Sequence, residues 1–115
     1  MISSDFFALL HIDETAVMSR FGGSCAIFEK YLKRFPNDPS WNLLEEAVQN
    51  HDFSGIETAA HTLKGVSANF GFEGLTQACS DLVSAVRTNA YEQIPEAFSR
   101  AKAEYKIITA TIVTL

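Results

Sequence analysis

At 115 residues, with 47% hydrophobic and 20% charged side chains, the chain has the size and make-up of one ordinary globular domain. Its formal net charge of -5 gives it no basic footprint with which to neutralise a nucleic-acid backbone or an anionic membrane surface, so neither is an expected partner. No stretch approaches the roughly 20 apolar residues that span a bilayer, no basic segment precedes an apolar one at the amino terminus, and Cys25 and Cys79 stand far apart, which together predict a cytoplasmic protein with two buried thiols.

Taken in chain order, Asp13 is placed to cap a short helix running toward Phe21, which Gly22 and Gly23 interrupt. Ser24 starts the next helix and Pro36 ends it after Phe35, with Phe21, Phe28, Tyr31, Leu32 and Phe35 as an apolar stripe. Beyond the turn Pro36-Asn37-Asp38-Pro39, either Ser40 or Asp38 caps a helix carrying Trp41, Leu44, Ala47 and Val48 and ending near Asn50. A polar break at His51 and Asp52 precedes a helix from about Phe53 to Phe70, closed by Gly71. Further helices follow from Phe72 to about Thr88 and from Gln93 to about Thr111, the last with Ile94, Phe98, Ala101, Tyr105, Ile108 and Ile112 on one side. The β-branched residues near the carboxyl end predict fraying there.

Helical segments joined by such short connections predict an all-α fold, an up-and-down antiparallel four-helix bundle from about residue 24 to residue 112. The segment before Gly22 is then an additional N-terminal helix or cap, and residues 1 to 115 make one domain.

The helix from Phe53 to Phe70 holds the chemistry. At roughly 100° per residue, Ile56, Ala59, Leu63, Val66 and Phe70 cluster as its core stripe. His61 falls roughly opposite the middle of that stripe and is predicted to face solvent, which fits poorly with a hydrogen-bonded core histidine. Glu57, Lys64, Gly65 and Ala68 share its side of the helix at offsets of one or two turns.

Gly65 breaks a local rule, because a glycine inside a helix costs about 1 kcal/mol relative to alanine and fills no core space. Such a break without structural gain points to function: a missing side chain one turn from His61 lets another protein's active site approach the imidazole. An imidazole in water is largely neutral slightly above pH 7 and then offers a ring nitrogen with a free lone pair, so it serves as a nucleophile without a dedicated base. Lys64 is placed to set an ammonium beside a phosphoryl group arriving on that nitrogen.

The run Ala60-His61-Thr62-Leu63-Lys64-Gly65-Val66-Ser67-Ala68-Asn69-Phe70-Gly71 resembles the signature of histidine-containing phosphotransfer domains. The likeness extends to Ile12-Asp13, Phe21-Gly22-Gly23-Ser24, Phe35, Asp52-Phe53, Leu75, Cys79 and Leu82, from about residue 12 to residue 87. It implies a phosphocarrier of a two-component phosphorelay whose histidine accepts phosphate from a receiver-domain aspartate and passes it to another receiver. His61 is then the phosphorylated residue, Lys64 its electrostatic partner and Gly65 the docking clearance, with Glu57, Ala68 and Arg87 as partner-binding residues. The implied partners are response-regulator receivers and a hybrid sensor histidine kinase, met by a monomeric bundle with no cofactor of its own, Mg²⁺ residing in the receiver.

One position departs from that pattern. Some family members carry Gln or Glu in the next helix, where it hydrogen-bonds the imidazole, and Val83 stands there instead, with Arg87 one turn further as a compensating positive charge. His11 and His51 match no motif position and read as surface or capping residues. The alternative reading is a degenerate receiver-binding scaffold or phosphate sink without onward transfer, against which the presence of both His61 and Lys64 argues. A metal- or cofactor-binding bundle lacks its Glu-x-x-His pair, and an autonomous kinase lacks a glycine-rich phosphate loop.

Overall fold

The computed structural model describes residues 4 to 115. Its helices are α1 (Ser4–Leu9), α2 (Glu14–Arg20), α3 (Cys25–Arg34), α4 (Ser40–Gln49), α5 (Phe53–Phe70), α6 (Glu73–Arg87) and α7 (Ile94–Val113), with single 3₁₀ turns at Phe35–Asn37 and Tyr91–Gln93 and no strand among the described residues. The first three residues, Met1-Ile2-Ser3, which belong to the amino-terminal stretch read above, lie outside the described residues.

Four helix starts are set by side chains that satisfy helix-end amides. Asp13 Oδ1 accepts from Ala16 N at 3.1 Å, Ser24 Oγ from Ile27 N at 3.2 Å and Asp52 Oδ1 from Gly55 N at 3.0 Å. At α4 the carboxylate of Asp38 accepts from Ser40 N at 2.8 Å, and Ser40 itself is buried as the first helical residue. Gly71 closes α5 in the left-handed conformation, φ 78°, with its N–H donating to the carbonyls of Ala68 and Ser67. His11 and His51 occupy comparable positive-φ positions after α1 and α4, at 56° and 51°, and are exposed.

Helices α4, α5, α6 and α7 pack in succession through the short connections after Gln49, Phe70 and Arg87, which makes neighbours antiparallel. The circuit closes where Trp41 of α4 stacks on Phe98 and Tyr105 of α7, at centroid distances of 5.5 and 4.4 Å. Helix α3 packs against α7 and meets the end of α5 in an aromatic cluster. Phe70 lies 5.7 Å from Phe21, 5.9 Å from Phe28 and 5.8 Å from Phe35, spacings at which ring pairs add about 0.5–1.5 kcal/mol beyond their buried area. The buried side chains form one cluster, to which α1 contributes Phe6 and Phe7. Arg20 of α2 donates to the terminal carbonyls of α5 at Ala68 and Asn69, at 3.1 and 3.3 Å, which ties the N-terminal helices to the helix that carries His61.

Four details differ from the sequence expectations. Cys79 is buried, but Cys25 is exposed, because it opens α3 beside the Gly22-Gly23 turn and one helical turn before the first buried residue, Phe28. The buried face of α5 is rotated from the expected stripe: Ala60 and Ser67 are fully buried, whereas Val66 is half-buried. Ser67 is admitted to the core because its hydroxyl is satisfied, donating to Lys64 O at 3.2 Å and sharing a 3.0 Å hydrogen bond with Thr76. The stripe of α3 omits Tyr31, which is exposed under the guanidinium of Arg34. At the carboxyl end α7 continues to Val113, since burial of Ile108 and Ile112 outweighs β-branched propensity and Thr109 and Thr111 donate back to carbonyls four residues earlier.

Candidate functional site

Helix α5 is anchored by Ile56, Ala59, Ala60, Leu63, Ser67 and Phe70, all buried. With those positions facing inward, the period of the helix sends Glu57, His61, Gly65 and Ala68 to the other side. His61, Gly65 and Ala68 are exposed, and Glu57 and Lys64 are half-buried. The expected surface patch is therefore assembled on one rigid helix.

Around His61 the surface dips into an open depression of about 300 Å³ lined by Glu57, Thr58, His61, Thr62 and Arg87. Thr62 turns its hydroxyl back to the Thr58 carbonyl at 3.1 Å. Among the described residues no side chain hydrogen-bonds the His61 ring, and the ammonium of Lys64 has no ion-pair partner. Val83 is buried in α6 and offers the ring no polar group.

Arg87, expected as a positive charge one turn beyond Val83, is engaged in an ion pair. Its Nε donates to Glu57 Oε2 at 2.5 Å, across the boundary between α6 and α5. Thirty residues separate the pair, so no local spacing announced it. The two share the depression with His61 because Arg87 is the last residue of α6 and Glu57 lies in the first half of α5.

Gly65 is open to solvent: a Cβ built on it would meet nothing within 4 Å. It also borders a wider groove, whose lining includes Phe21, Tyr31, Arg34, Val66 and Asn69. Sequence periodicity assigned Tyr31 to the core, and its place on this groove was missed; the signal available was the Arg34 three residues on, spaced to stack on the ring. No three His, Cys, Asp or Glu side chains converge on a common point among the described residues, and no helix of the described residues is long and apolar enough to cross a membrane.

The Hpt domain family model matches residues 21 to 110. The chain belongs to the Hpt domain family. No curated protein and no solved structure matches it. The matched span begins at the end of α2, after the Ile12-Asp13 pair included in the sequence resemblance, and runs on through most of α7, beyond the signature residues. Hpt domains are phosphocarrier modules of phosphorelays that interact with receiver domains, and the helical bundle described above accords with that family.

The helix supplies rigidity, since its core residues leave little freedom for the backbone at His61. Gly65, one turn from His61, has open space where a Cβ would stand. Lys64 supplies an uncommitted positive charge three residues away, on an adjoining part of the same surface.

Proposed function

We propose that this Hpt domain carries a phosphoryl group on His61, accepting it from the phosphoaspartate of one receiver and passing it to the aspartate of another. A neutral ring nitrogen attacks phosphorus, the P–O bond to the aspartyl carboxylate breaks, a P–N bond forms, and the ring gives up its other proton to solvent. Lys64 offsets the charge delivered to the imidazole, and Gly65 leaves room for the receiver's acidic pocket. Mg²⁺ belongs to the receiver, so the bundle needs no metal and has no ATP-dependent kinase activity. Glu57, Ala68 and Arg87 border the docked receiver.

The observation that carries this reading is an exposed histidine on the outer face of a helix whose opposite face is buried, one turn from a glycine with open space around it. We further propose that the module works in the cytoplasm as a single monomeric bundle, with a hybrid sensor kinase's receiver as donor and a response-regulator receiver as acceptor.

The test is a transfer profile. Receiver domains from the source organism, each phosphorylated with labelled phosphate, are mixed with the chain and initial rates compared. At least one should pass label to the wild type and none to His61→Gln, whose helicity should be unchanged. An unlabelled second receiver should then draw the label off. Label that binds and stays would replace the relay reading with that of a sink.

A further inference from the structure

We infer that Glu57 is a positioning residue that holds Arg87 in reserve, and that the guanidinium exchanges the Glu57 carboxylate for the phosphoryl group when one is carried on His61. The inference rests on the reading of His61 as the carrier and adds a device that sets how long the phosphoryl group stays there.

Glu57, Arg87 and His61 line one depression, so the guanidinium and the imidazole face a common space. At rest the 2.5 Å contact between Arg87 Nε and Glu57 Oε2 offsets the two charges locally, and Lys64 has no ion-pair partner among the described residues. The contact uses Nε alone, so both terminal nitrogens of the guanidinium lack a protein partner among the described residues.

A phosphoryl group on the ring brings close to two negative charges and three acceptor oxygens. A planar guanidinium binds such an oxygen fork in two-pronged fashion, better than it binds one carboxylate oxygen through Nε. The Arg87 side chain is 58% exposed, and ion pairs this exposed are held weakly, so little opposes the exchange. Glu57 therefore competes with the phosphoryl group for the same cation. A strong competitor shortens the lifetime of the phosphohistidine and keeps it ready to leave; removing the competitor lengthens it.

This predicts a dependence that a merely structural pair would not produce. The 115-residue chain carrying His11→Asn and His51→Asn, substitutions suited to the positive φ at both sites, has His61 as its one histidine and is phosphorylated with phosphoramidate. In that reaction the reagent's P–N bond breaks, a P–N bond to His61 forms, and the ring proton leaves on the ammonia as ammonium. Decay and titration of the phosphohistidine are followed by ³¹P NMR.

In Glu57→Gln the lifetime should rise about threefold and the phosphoryl titration should move to lower pH, because a nearer cation favours the dianion. In Arg87→Ala both should move the other way. The double variant should match Arg87→Ala, since Glu57 acts through Arg87. Equal lifetimes in all four proteins, or a Glu57→Gln effect that survives undiminished without Arg87, would overturn the inference. Phosphoramidate labels an exposed imidazole by chemistry alone, so a failure of receivers to phosphorylate His61 would defeat the relay reading and leave this measurement intact.

Discussion

Gly65 stands one helical turn beyond His61 on the outer face of α5, and the space where its side chain would begin is empty to at least 4 Å. The glycine is therefore not required by packing, and its φ lies in the ordinary helical range. Stability and docking should then respond to it in opposite directions. Gly65→Ala should stabilise the fold by about 0.5–1 kcal/mol in urea denaturation, the usual gain at an exposed helical site. Gly65→Gln should keep a native melting curve and lower receiver-to-chain transfer about tenfold or more, the added side chain acting as a repulsive element in the complex.

Lys64 is half-buried with its ammonium uncommitted among the described residues. Lys64→Ala should reduce kcat/KM for transfer by about tenfold, less than is lost on deleting a donor from a closed active site, because solvent screens this face. Lys64→Arg should recover most of that loss. Rapid-quench kinetics with one receiver separates these outcomes.

The two cysteines should differ in reactivity. Burial pushes the Cys79 thiol up to about 12, whereas Cys25 is exposed at the start of α3. One equivalent of thiol should react with a disulfide reagent at pH 8 in the native protein and two after denaturation. Two fast equivalents in the native state would mean that α6 opens.

Asp81 of α6 accepts from Arg100 of α7 at 2.7 Å, and this hydrogen bond holds its carboxyl below the usual carboxylate range. A lowered carboxylate contributes stability that is fully present above its unfolded value and is lost as pH falls through the folded one. Asp81→Asn should therefore be less stable than wild type at pH 7, with the difference closing below about pH 4. Thermal melts across pH 2 to 7 would show the two curves converging.

Helix ends were legible in the sequence wherever a capping side chain or a left-handed glycine makes the boundary, as at Asp13, Ser24, Asp52 and Gly71, because a cap acts within three residues. The outward placement of His61 was legible too, since it depends only on helical period and on Ile56, Leu63 and Phe70 being core. Helix α1 was not: it spans six residues, and the burial of Phe6 and Phe7 against the aromatic cluster gives it its place. Ser67 and Val66 exchanged roles because a hydroxyl on Thr76, nine residues on, makes the serine acceptable in the core. The pairing of Arg87 with Glu57 depends on how α6 returns along α5, which periodicity within either helix does not contain.

The central claim is that His61 itself bears the phosphoryl group, and the most direct measurement locates that group after enzymatic transfer. The uniformly ¹⁵N-labelled chain is phosphorylated by a cognate phosphorylated receiver and its imidazole resonances are followed by NMR. A single phosphorus coupled to a ring nitrogen of His61, lost on mild acid treatment, is the predicted result. Phosphorus on His11, on His51 or on any other side chain, with the His61 ring unchanged, would contradict it.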